Sequence, residues 1–133
     1  MWKGKALPRS RILVAVSTPW SSDRLFQTIR DLADRLDGDV IVAHVAQPSE
    51  EDESEADTRR RGELTLSTLT QRLGEAGVSA EGVLLFGDEI ARAILNVAEA
   101  HTASLIVIGA TGKGRMARLL AEQSDIEVVG QAA

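Results

Sequence analysis

Short runs of branched apolar residues alternate along this chain with segments whose apolar residues recur at helical spacing, and that alternation narrows the fold more than any other feature. From Arg11, "RILVAV" is a compact apolar run of the kind expected in a strand covered on both faces. After "STPWSS", the residues Leu25, Phe26, Ile29, Leu32, Ala33 and Leu36 mark an amphipathic helix with one buried stripe, and Gly38 is placed to end it. "DVIVAHV", from Asp39 to Val45, supplies the second strand. A strand, a helix and a further strand joined in this way make a crossover between parallel strands.

The pattern then repeats. "QPSEEDESEADTRRR" carries six acids between Glu50 and Asp57 followed by three arginines, and it reads as a solvated polar loop over 47–61. From Glu63, the positions Leu66, Leu69, Leu73 and Ala76 predict a helix closed by Gly77. "EGVLLFGD" gives a third strand, and Asp88 is placed to cap a helix that buries Ile90, Ala91, Ile94, Val97 and Ala98. "SLIVIG" is a fourth strand, Lys113 to Gln123 a short helix with Met116, Leu119 and Leu120 inward, and "IEVVG" a last strand. The expected fold is therefore α/β: a doubly wound parallel sheet of about five strands with helices on both faces. One domain over 1–133 accounts for the chain, with 1–10 as an N-terminal tail.

Composition removes several classes of function. Apolar residues make up 44% of the chain and there is no cysteine, which excludes disulfides, thiolate metal ligands and a cysteine nucleophile. A formal charge of -5 provides no general attraction to nucleic acid or anionic lipid. No apolar run approaches the roughly 20 residues of a membrane span, and "MWKGKALPRS" lacks the apolar centre of a signal peptide. A cytoplasmic protein is expected, with no nucleic-acid partner and no direct membrane insertion.

In doubly wound sheets, ligands bind beyond the carboxyl ends of the strands where the winding reverses, which sets "STPWSS" beside "GATGKG". Gly109, Gly112 and Gly114 allow close approach of backbone N–H groups to an anion, and the helix behind them adds its positive end. Lys113 and Arg115 offer charge-assisted bonds; Ser17, Thr18, Ser21 and Ser22 offer hydroxyls to a sugar or phosphate. The loop is not a Walker motif, since its lysine comes too early and no Ser or Thr follows, and Ala117 breaks the G-x-G-x-x-G pattern. Trp20 reads as a cover for the end of the core. His44 and His101 have no further ligands with which to hold a metal, and His44 reads as packing. No general base, nucleophile or triad can be assembled, so no catalytic residue and no metal ligand is assigned.

These segments resemble the universal stress protein family. The likeness runs through "RILVAVS", "DVIVAHV", "LLFGDEIARAILNVAEAHTASLIVIGATGKGR" and the apolar strand at the end. It implies a five-stranded parallel sheet, homodimers formed through the last strand, a regulatory role in the stress response, and in many members a bound ATP or related adenine nucleotide. In the nucleotide-binding members an acidic residue ends the first strand, backbone after the second-strand histidine meets the ligand, and glycines follow the pattern G-x-x-G, nine residues, G and Ser or Thr. Carried over, these positions are Ser17, Val45, and Gly109 and Gly112 with Thr111 between them; the last pair falls on Glu122 and Gln123. Ser17 keeps a hydrogen bond without the carboxylate, while Glu122 and Gln123 would set a negative charge and no hydroxyl beside the phosphates. The segment before the last strand is also short for the family, which leaves open how that strand pairs. The expected function is a binding and regulatory module. The alternatives are a protein-interaction domain without ATP, regulating a partner such as a transporter or kinase, and, less favoured, a slow ATPase.

Overall fold

The computed structural model describes residues 10–16, 23–46, 51–86, 89–108 and 113–130. Strands and helices alternate through them: β1 Ser10–Val16, α1 Asp23–Leu36, β2 Gly38–Val45, α2 Glu55–Glu75, β3 Ala80–Leu85, α3 Ile90–Ala100, β4 Leu105–Ile108, α4 Lys113–Gln123 and β5 Glu127–Gly130. The five strands form one parallel sheet in the order β3-β2-β1-β4-β5. The expected doubly wound fold is observed, and the short last connection still delivers β5 parallel to β4, with Leu105 opposite Glu127.

The central strands divide their side chains by parity, as the two-residue period requires. Ile12, Val14, Val16, Val40, Val42, Leu105 and Val107 pack on one face with Phe26, Ile29 and Ala33 of α1 and Leu66, Leu69 and Leu73 of α2. Leu13, Ala15, Ile41, Ala43, Ile106 and Ile108 pack on the other with Ile94, Leu95 and Ala98 of α3 and Leu120 of α4. A strand buried on both faces has no polar alternation to show, which is why β1, β2 and β4 read as continuous apolar runs.

Several boundaries differ from the sequence reading, each for a local reason. The polar loop expected over 47–61 gives way to helix at Glu55: Ser54 caps it, its Oγ accepting from the Asp57 N–H at 3.1 Å, and Glu55 and Asp57 suit the positive helix end. The N-terminal tail loses Ser10, which opens β1 opposite Gly38. Gly38 does not end α1 by a left-handed turn. Asp37 takes that conformation at φ 50, and Gly38 begins β2 instead. Gly77 closes α2 as expected, at φ 84. Glu89 holds the N-cap position of α3 without a side-chain bond, and Asp88 lies outside the described residues. Leu36 and Leu119, expected inward, are about 40% exposed: Leu36 sits in the last turn of α1, and Leu119 points away from Leu120, the buried residue of that pair. The side chains of Leu25 and Met116 lie outside the described residues.

Candidate functional site

In a parallel sheet every strand ends on the same edge, so the carboxyl edge gathers Val16 of β1, Val45 of β2, Leu85 of β3 and Ile108 of β4. The chain leaves β1 toward β2 on one side and reaches β4 on the other. The winding thus reverses between β1 and β4, where Ala15 pairs with Ile108. Helices α1 and α4 begin on this edge and flank the reversal, with their positive ends toward it.

The sequence candidates meet this edge unequally. Ser17, Thr18, Gly109, Thr111 and Gly112 lie outside the described residues, as do Trp20, Ser21 and Ser22. Lys113, Gly114 and Arg115 form the first turn of α4, although their side chains are not among those described. Val45 is buried at the end of β2. The Val40 and Ala46 N–H groups donate toward β3, to the carbonyls of Ser79 just before that strand and Leu85 at its end, at 2.9 and 2.8 Å. Because strand polar groups alternate, the Val45 backbone faces the β1 side, where β1 has just ended at Val16.

Glu122 and Gln123 require a correction. They are the last two residues of α4, and α4 leads from the carboxyl edge back to the start of β5. A helix of 11 residues advances about 15 Å, so neither residue stands beside a ligand at the helix's first turn. Carrying the family's glycine pattern along the chain puts them there; the helix Lys113–Gln123, observed with its expected bounds, sets them at its far end.

His44 is buried, as its place in an apolar strand predicts, and it also makes a polar bond. Its Nδ1 lies 3.1 Å from the carbonyl oxygen of Val16. Burial holds the imidazole below the usual histidine range; the Val16 bond opposes that shift, and the charge of Arg61 adds to it. Above the ring, the start of α2 is fastened by a cluster that the sequence reading missed. Glu53 accepts from the buried Thr58 hydroxyl at 2.7 Å and from Arg61 at 2.9 Å, and this pairing raises the Arg61 pKa further. The signal lay inside "EEDESEADTRRR", where a charge run concealed one acid with fixed partners. Arg59 also lies over the Phe86 ring, 4.6 Å from its centre, at the end of β3.

Two cavities, of about 450 and 320 Å³, open on the opposite edge, among the strand starts and helix ends. The larger is lined by Asp31, Asp34 and Asp37 together with Arg30. The ends of α1 and α2 add carbonyl groups there, a lining that repels phosphate. His101 is at this edge as well, its Nδ1 3.2 Å from Glu81. Among the described residues no group of three or more candidate ligands could hold a metal, and no helix is long and apolar enough to cross a membrane.

A family comparison settles what kind of fold this is. The model of the universal stress protein family matches residues 8–133. The chain belongs to the universal stress protein family. A search of curated proteins found no match. Among solved structures, a universal stress protein family member from Burkholderia pseudomallei superposes with a TM-score of 0.74 at 21% identity, covering 94% of this chain and 97% of that one. The universal stress protein from Archaeoglobus fulgidus in complex with dAMP gives 0.70 at 23%, covering 92% and 98%. A family protein from Arabidopsis thaliana with AMP bound gives 0.70 at 18%, covering 92% and 91%. At these identities the superpositions speak for the fold alone. It is a universal stress protein fold with its reversal point between β1 and β4.

Proposed function

We propose that this universal stress protein is a regulatory binding module that takes an adenine nucleotide at the carboxyl edge, between the ends of β1 and β4. The observation that carries this reading is the strand order, because it brings the start of α4 to the point where the winding reverses. In this reading the backbone of Gly109, Thr111, Gly112 and Gly114 and the cations Lys113 and Arg115 receive the phosphates. Ser17 and Thr18 meet the sugar, and the Val45 backbone meets the edge of the base. The nucleotides named for the Archaeoglobus and Arabidopsis neighbours, dAMP and AMP, are of this class. ATP and its monophosphate share the adenine and the first phosphate, so both are candidates.

The module acts by binding rather than by catalysis, in the cytoplasm, as a homodimer in the stress response. The edge position of β5 favours pairing with a second copy. A protein partner such as a transporter or kinase would read the nucleotide state. The deciding experiment is calorimetry of purified protein with AMP and with ATP, each with and without Mg²⁺. Micromolar binding is expected, and Gly112→Val, which blocks close approach of the backbone, is expected to abolish it. No binding of either nucleotide by the parent protein would favour the alternative, a protein-interaction domain that has lost the ligand.

A further inference from the structure

Among the described residues, His44 and Thr58 are the buried polar or charged side chains; Thr58 is bonded within the Glu53 cluster, and His44 to the Val16 carbonyl of the neighbouring strand. His44 pairs with Val16 in the parallel register and is 3% exposed. Its ring lies on the face covered by α2, where Gly62 lets the helix come close: a Cβ at Gly62 would stand 3.5 Å from His44 Cδ2 and 3.4 Å from Ala46 Cβ. A branched apolar side chain would fill that space without the cost of burying an imidazole. What the imidazole adds is a donor.

The carbonyl oxygen of Val16 can only accept, so the 3.1 Å bond requires the hydrogen on Nδ1. That carbonyl belongs to the last peptide of β1, the one leading into Ser17. The Val45 backbone faces the same seam from β2. We propose that His44 is a positioning residue for the nucleotide site: by donating Nδ1–H to the Val16 carbonyl, it fixes the end of β1 against the end of β2, where the base edge is received. The inference rests on the nucleotide reading for its purpose, but the bond and its tautomer do not. Arg61, held by Glu53, is the charged group facing the ring from α2, and it disfavours the imidazolium form. Burial acts in the same direction and is the larger cause, while the Val16 bond opposes it.

Two substitutions separate donor from filler. His44→Asn sets an amide nitrogen where Nδ1 stood, and His44→Phe keeps the ring without a donor. The first reading is the tautomer of the parent protein near pH 7.5, by long-range ¹H–¹⁵N correlation, which needs no variant to fold. Nδ1–H is expected, and Nε2–H would overturn the proposal. In AMP titrations H44N should stay within about threefold of the parent, while H44F should bind about tenfold or more weakly despite a cooperative melt. Parent-like AMP affinity in H44F overturns it too. If the parent binds no AMP, the nucleotide reading fails separately, and hydrogen exchange at the Val45 amide then decides. Faster exchange in H44F than in H44N supports the clamp, and equal exchange in the two variants rejects it.

Discussion

At Gly62 a missing side chain determines how near α2 comes to the sheet. A Cβ there would lie 2.7 Å from Cδ1 of Leu84, the movable end of a flexible side chain, so Gly62→Ala asks only for a small shift of Leu84. The helix regains about 1 kcal/mol of propensity at the same position, and the alanine variant should fall within about 1 kcal/mol of the parent. Gly62→Val also presses a second methyl toward Ala46 and His44. It should cost about 1–3 kcal/mol, read from the urea midpoint at unchanged slope. The neighbouring histidine gives a pH signature with a definite sign. Burial sets its folded pKa below the ordinary histidine value of 6.5, so the fold favours the neutral ring. That stability is fully present above pH 6.5 and is lost as the pH falls from there toward the folded pKa, because the unfolded chain then binds the extra proton. Thermal melts between pH 7.5 and pH 5 should show a fall in the parent that is missing from H44N. Parallel curves for the two proteins would reject the assignment.

At the scale of elements, the strands were legible because burial on both faces leaves continuous apolar runs, and β1, β2 and β4 lie within a residue of their expected bounds. Helix α4 was legible for a different reason: Gly109 and Gly112 precede it, and Met116, Leu119 and Leu120 recur at helical spacing from Lys113 to Gln123. The start of α2 was not legible, because composition weighs all the acids of "EEDESEADTRRR" alike, whereas the structure gives Ser54 a cap, Glu53 a buried hydroxyl and Asp57 an ion pair with Arg60. Ser54→Ala should therefore lower stability by about 1 kcal/mol in chemical denaturation, and Ser54→Asp should restore it, since both native and restored side chains accept from the Asp57 N–H. A serine that merely decorated a solvated loop would give no loss on truncation. The outward turn of Leu119 was missed by the same averaging: the spacing Met116, Leu119, Leu120 fits a stripe, but among the described side chains of α4 only Leu120 is buried.

For the whole molecule the decisive quantity is where a ligand would sit relative to the core. The carboxyl edge between β1 and β4 joins the two halves of the winding: β1 and β4 each contribute both to the face built with α1 and α2 and to the face built with α3 and α4. Carrying the family's glycine pattern along the sequence placed Glu122 beside the phosphates. The fold puts it at the far end of α4 instead, because that helix already begins at Lys113. One electrostatic objection to a bound nucleotide thereby disappears, while the replacement of an acid by Ser17 stands. A ligand that binds only the folded chain and bridges both halves must stabilise all of it. At AMP a hundredfold above its dissociation constant the gain is about 2.7 kcal/mol, which for a chain of this size moves the melting midpoint up by roughly 10 °C. A single cooperative transition that shifts with AMP is expected, with no shift in Gly112→Val and a reduced shift at high salt, where phosphate contacts are screened. Guanosine monophosphate at the same concentration supplies the phosphate without the adenine edge. An equal shift with guanosine monophosphate would show that the phosphate supplies the stabilisation and that Val45 does not read the base.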